Sequence, residues 1–443
     1  MSVRRLAGAA ASILLAALTL CGQEARAASL PDWAKAVAAS APDPGDREAP
    51  TSWRVVFKET HYQLLPDGTA RVRERSVRQA LSDHVERALG AFTFDGRSKL
   101  TRTRAWHLPG DGERVERKKL GSAIDIGAGD GSFLSDDRAR VIGIGKASRG
   151  SLAFFEFEST RTRETLTDSF LVGEFAPILE ERIVIEVPSG WSVRHEWVGV
   201  RGPDPVVEGN RRTWTMRDVP HHVDLDFGAR LIEAAAQLFV AFDPPEGMNV
   251  VPVHLRDWAD AGRWYGGFVR SQMSTEGAVA RFAEGVVRSD GSSRDRRVID
   301  ATTAVRDRVR YVLVTLGDGG YVPKPAVETA ESLWGDCKAK STLLASVLAI
   351  DKIASYPLFV NIGSRRSLPV GVPSIGVFDH VVLAVPIASP EKLAPHERGA
   401  LIEAPDLGTL LVVDPTDEHR SPGELHPLLS GAKGLLVTPR ART

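Results

Sequence analysis

The sequence is poor in cysteine, with two among 443 residues, Cys21 and Cys337. That scarcity excludes a disulfide-stapled scaffold and a zinc centre built mainly from thiolates. An excess of either charge is also missing. Lys and Arg total 56 against 57 Asp and Glu, for a net charge of −1. A dedicated nucleic-acid binder would carry a surplus of Lys and Arg, so no nucleic-acid partner is expected. Cofactor signatures are wanting too. Neither H-E-x-x-H nor G-x-S-x-G occurs. Gly127-x-Gly129-x-Gly131 has the wrong spacing for a dinucleotide loop, and Asp125, Asp130, Asp136 and Asp137 around it would repel phosphate. Gly143-Ile144-Gly145-Lys146 lacks the Ser or Thr that follows lysine in a phosphate loop. His221, His222, Asp224 and Asp226 read as a solvated strand end, so the expectation is no cofactor and no metal.

What remains is the composition of a folded protein, 43% hydrophobic and 26% charged. At about 150 residues per domain the length allows two or three cores. The first segment reads as an address. Arg4 and Arg5 precede an apolar run from Leu6 to Leu20, and Ala25-Arg26-Ala27 offers small residues at both positions that guide cleavage. The run is too short to span a bilayer, and cleavage is expected after Ala27. The mature chain is then exported, periplasmic or extracellular, with no transmembrane span. Leu20 stands where a lipoprotein signal needs a small residue, which argues against attachment through Cys21. Cys21 leaves with the leader, and Cys337 becomes the one thiol in an oxidising compartment. Such a thiol is either a buried bystander or a working group.

Residues 28–50, rich in Ala, Pro, Asp and Ser, suit a leader or linker. From 51 to 252 the texture is that of short alternating strands, among them Arg54–Lys58, Leu152–Phe157, Glu181–Val187 and Arg211–Met216. Pro66-Asp67-Gly68-Thr69 reads as a hairpin turn, proline fixing φ and glycine accepting φ > 0. Their spacing of roughly ten residues predicts an antiparallel β-sandwich-like domain. From 253 to 443 the pattern becomes α+β. His254–Met273 is helix-like, and Val298, Ala301, Val305, Val309 and Val312 recur at helical steps. After the Gly317–Pro325 loop comes a second helix with the stripe Leu343, Leu344, Val347 and Leu348. Strands are expected at Pro357–Asn361, Phe378–Val385 and Leu410–Val413.

One constellation carries chemistry. Gly335-Asp336 places Cys337 in the first turn of the second helix, where unpaired N–H groups and the helix dipole favour a thiolate. A nucleophilic thiol needs a base, and the base needs an acceptor to orient it. His380 lies inside the strand that begins at Phe378, and Asp414 lies at the end of Leu410–Val413. If the two pair antiparallel, the start of one meets the end of the other, and a carboxylate can hold the imidazole tautomer. Taken singly, each residue has a bland alternative: a small buried hydrophobe, a satisfied strand histidine, a turn-opening Asp-Pro-Thr.

Residues 298–438 resemble the transglutaminase-like superfamily, whose core is a papain-type cysteine-peptidase fold. The motifs are Gly335-Asp336-Cys337-Lys338-x-Lys340-x-Thr342-Leu343-Leu344, Phe378-Asp379-His380-Val381-Val382 and Asp414-Pro415-Thr416. Residues 53–227 resemble DUF3857, a β-domain of unknown function that often precedes such a core in exported bacterial proteins. The resemblance implies Cys337 as nucleophile, His380 as general base and acid, Asp414 as orienter, and thioester chemistry on an amide. The backbone N–H of Cys337 would be one oxyanion donor. Trp334 is a candidate for the second, since its indole N–H only donates, with packing of the cysteine helix as its alternative. Ala339 departs from the acidic residue usual in the family, and Trp334 from the arginine or tyrosine common there. The expected partner is a protein or peptide amide, the cell envelope being one source, with hydrolysis or acyl transfer both open. The rival is a non-catalytic module that presents peptide or glycan to an assembly.

Overall fold

The structure, a computed structural model, describes residues 26–438 except 28, 46–50, 84, 86–87, 113–114, 119–122, 128–133, 136–137, 222–234, 285, 287–292, 316–319, 363–366 and 425. The leader up to Ala25, the Gly129–Gly131 loop, the cluster from His222 to Asp226 and residues 317–319 lie outside the described residues. The chain forms two compact units. One comprises residues 256–443 with 131–135, and the other the chain before 256 apart from that short excursion.

The β-rich unit is organised by a nine-stranded sheet. Trp53–Leu64 and Ala70–Ala80 form its central hairpin, paired from Leu64 opposite Ala70 to Trp53 opposite Ala80 with a shift of register between Val55 and Phe57. The turn between them takes the form its residues dictate. Gly68 sits at φ +83°, and the Asp67 carboxylate accepts from the Thr69 N–H at 2.9 Å and its hydroxyl at 2.7 Å. The expectation of an all-antiparallel sandwich requires one correction. Trp53–Leu64 lies parallel to Ile178–Glu186, from Val55 opposite Ile178 to Gln63 opposite Glu186, so the sheet is mixed. Tight turns impose antiparallel pairing only on strands adjacent in sequence, and these two are joined by a long excursion.

Two three-stranded sheets cover this frame. Leu238, Val240 and Phe242 of Gln237–Asp243 pack with Tyr62, Ile183, Ile185 and Trp214. Phe92, Ile142 and Ile144 pack with Ala153, Phe155 and Phe157 of the Leu152–Arg161 strand. The opposite face of that strand, Leu152 and Phe154, joins a cluster with Leu30, Ala34 and Trp106. Here a second expectation fails. The segment read as linker contains a helix, Asp32–Ser40, with Trp33 edge-on to Trp106 and Phe154 at 6.3 and 6.2 Å. Its composition hid Trp33 and Val37, one helical turn apart on one face.

In the second unit, helices pack on a five-stranded antiparallel sheet in the order Leu401–Ala404, Gly408–Val413, His380–Pro386, Tyr356–Val360, Gly434–Leu436. Val298, Ala301 and Val305 of Arg294–Arg308 share a core with Leu343, Leu344 and Val347 of Cys337–Ile350 and with Leu383, Val385, Leu411 and Val413. The first helix stops at Arg308, short of Val312. The β-branched continuation turns extended, and Arg310–Tyr311 pairs in parallel with Trp334–Gly335. No helix among the described residues is long and apolar enough to cross a membrane.

Gly68 tests the central hairpin. A Cβ there would meet Pro252 Cδ at 2.6 Å in a left-handed backbone. Gly68→Ala is expected to cost about 1 kcal/mol or more in urea unfolding, with the slope unchanged.

Candidate active site

The cysteine helix begins where the chain permits it. A Cβ on Gly335 would lie 2.6 Å from that of Ala339, so only glycine lets Trp334–Gly335 approach the first turn. Asp336 caps the helix, its Oδ1 accepting from the Ala339 N–H at 2.9 Å, while Oδ2 pairs with the Lys338 ammonium. Cys337 follows in the first turn, 4% exposed. Burial opposes the charge of Lys338, but Asp336 outweighs it and holds the ammonium above its ordinary value. Lys340 is wholly buried and donates to the Val309 carbonyl at 2.6 Å and to that of Arg306 at 3.3 Å, which ties off the end of the Arg294–Arg308 helix. Burial pushes this ammonium down to about 8. The Ser341 hydroxyl donates to the Val381 carbonyl at 3.2 Å and fastens the helix to the histidine strand.

The two strands expected to bring His380 and Asp414 together do pair antiparallel, from Leu383 opposite Val413 to Pro386 opposite Leu410. His380 Nε2 lies 2.8 Å from Asp414 Oδ2. The other carboxylate oxygen accepts from the Thr416 N–H at 2.8 Å and its hydroxyl at 2.7 Å. Asp-Pro-Thr is therefore a turn and an orienting device at once. With Nε2 engaged, Nδ1 is the ring nitrogen left for Cys337, whose side chain lies close enough to act on the imidazole electrostatically. Burial disfavours the imidazolium, yet Asp414 and Cys337 outweigh it and raise His380 well above the ordinary histidine range. Burial likewise works against the Asp414 carboxylate, and His380 and Thr416 overcome it, holding the group below its usual value. The structure thus brings all three sequence-predicted residues to one place.

Trp334 has a different neighbour from the one its candidate role requires. The Lys324 ammonium lies over its ring, 3.5 Å from the centroid, as in a packing anchor. Two tyrosines that sequence reasoning missed line the site. Tyr311, next to the cysteine motif through its pairing with Gly335, feels the charges of Cys337, Asp336, Asp414 and Asp379. Tyr265, on the Trp258–Gln272 helix, is 1% exposed and feels Cys337 and Asp336. Burial is the main reason the Tyr265 phenol is held well above its ordinary value. No local spacing links either residue to the motif, so no signal in the sequence pointed to them. Among the described residues, no group of three His, Cys, Asp or Glu side chains is placed to hold a metal ion.

The arrangement has the parts that acyl chemistry uses: a thiol at a helix tip, an imidazole near it, and a fixed carboxylate behind the imidazole. Residues 66–222 match DUF3857, a domain of unknown function with a solved structure. That match covers most of the stretch read as this β-domain. No curated protein matches the sequence. Among solved structures, the fold is similar to that of a "putative protease" from Parabacteroides distasonis, with 13% identity and a TM-score of 0.59 over 76% of this chain and 66% of that one. The chain therefore spans just under two thirds of that protein. An M1 zinc metallopeptidase from Deinococcus radiodurans also matches, at 10% identity over 45% of this chain and 46% of that one, but its TM-score of 0.25 carries no weight for the fold.

The His380–Asp414 pair sets a pH window. A raised imidazole contributes stability in full below its unfolded value of about 6.5, and loses it as pH rises through the folded value. The lowered carboxylate contributes above its unfolded value and loses that as pH falls through the folded one. In Asp414→Asn, the His380 ring resonance followed by NMR is expected to titrate nearer about 6.5. The stability gap to wild type, widest near neutral pH, should close at alkaline pH.

Proposed function

We propose that the protein is an exported cysteine-dependent enzyme with a transglutaminase-like, papain-type core, acting on amide or peptide bonds through Cys337, His380 and Asp414. The observation that carries this reading is one imidazole bonded to the Asp414 carboxylate and raised by the Cys337 side chain beside it at a helix N-terminus. In the first step the thiol proton passes to His380 Nδ1 and Sγ bonds to the carbonyl carbon. The imidazolium is stabilised by Asp414, and the Cys337 N–H faces the developing oxyanion. His380 then protonates the leaving amine as the C–N bond breaks, which leaves a thioester. Water, deprotonated by His380, releases the acid; an amine acceptor gives transfer instead. Hydrolysis of peptides or cell-envelope amides is the reading we favour, and the fold shared with the Parabacteroides distasonis protein accords with it.

Two measurements test this. At neutral pH, iodoacetamide should alkylate Cys337 at least about tenfold faster than a model thiol, and His380→Ala should remove the advantage. Equal rates for wild type, variant and model thiol would sink the enzyme reading. For export, N-terminal sequencing of secreted protein should begin at Ala28, and an intact Met1 start in that fraction would contradict a cleaved leader.

A further inference from the structure

We propose that the Tyr265 hydroxyl is the second oxyanion donor of the Cys337 site, acting beside the backbone N–H of Cys337. The inference rests on Cys337 being the nucleophile and adds a residue to that reading.

The phenol O–H is buried and has no hydrogen-bond partner among the described residues. Buried hydroxyls are almost always satisfied, and an exception calls for an explanation such as a catalytic role. The ring itself is firmly placed. It meets Phe359 edge-on at 4.3 Å, and Phe359 pairs with Val381, the neighbour of His380. Phe378 packs between Phe359 at 5.6 Å and Trp258 at 5.8 Å, so the aromatic cluster joins this helix to the approach of the histidine strand. The Asp257 carboxylate caps the helix by accepting from the Asp260 N–H at 2.7 Å.

The charges that act on Tyr265 are those of Cys337 and Asp336, both at the N-terminus of the cysteine helix. Asp336 already has its partners, the Ala339 N–H and the Lys338 ammonium. The negative charge left for the phenol to serve is the one that appears beside Cys337 during reaction. As Sγ bonds to the carbonyl carbon, the carbonyl π pair moves onto oxygen. The phenol O–H and the Cys337 N–H donate hydrogen bonds to that oxygen and transfer no proton. When the C–N bond breaks, the pair returns to re-form the carbonyl. Because burial keeps the phenol protonated, it remains a donor throughout.

The test compares two probes on the full chain. p-Nitrophenyl acetate acylates through a tetrahedral oxyanion, whereas iodoacetamide alkylates by direct displacement and forms none. In Tyr265→Phe the rate of nitrophenolate release is expected to fall about 10²-fold. Alkylation of Cys337 should stay within about twofold of wild type, because the thiolate and its base are untouched. The melting temperature should not fall, since the removed hydroxyl makes no bond. Unchanged acylation would overturn the proposal, and so would an equal fall with both probes, which would assign the phenol to the thiolate. Loss of the fold would mark the hydroxyl as structural and overturn it too. Wild type acylating no faster than Cys337→Ala would defeat the nucleophile reading first, and this inference with it.

Discussion

The hydrogen bond between His380 and Asp414 is the contact on which the site depends, and it is set by strand pairing. The ladder from Leu383–Val413 to Pro386–Leu410 brings the head of one strand to the tail of the next. Thr416 then fixes the carboxylate with two donors, so one oxygen remains for the imidazole. A slip of one residue in that ladder would turn the apolar side chains shared with the cysteine helix away from the core. Leu383, Val385, Leu411 and Val413 thus guard the geometry of the pair as well as the core.

A second constraint is the burial of charge. Lys338, Lys340, Asp336, Asp295 and Glu397 are all buried in this unit, where an unpaired ion would be expensive. Each has a partner matched to its chemistry. Asp295 accepts from the Ala388 and Ser389 N–H groups, and Glu397 from the Ala394 N–H and Arg296. Lys340 spends its ammonium on carbonyls that the preceding helix leaves unpaired. The polar residues of the Gly-Asp-Cys-Lys-x-Lys motif are therefore mostly structural, and they hold Cys337 in place.

What could be read from the sequence depended on how local its cause was. The Pro66–Thr69 turn was legible because its residues alone determine it. The histidine and aspartate strands were legible because Cys337 supplied a chemical reason to look for a base and its orienter. Parallel pairing of Trp53–Leu64 with Ile178–Glu186 was hidden, since it is settled by packing between distant segments. The Asp32–Ser40 helix was masked by a linker-like composition around two apolar residues. Tyr265 and Tyr311 reach the site from separate elements, and nothing in their local spacing announces it.

That early helix has a consequence for how the chain acquires its shape. Trp33 rests against Trp106 and Phe154, which leave the ribosome far later than it does. Synthesis from the N-terminus exposes the indole before any surface exists to receive it. This early-made helix therefore cannot dock until Trp106 and Phe154 have followed it, and until then it is a sticky segment that a chaperone would have reason to hold.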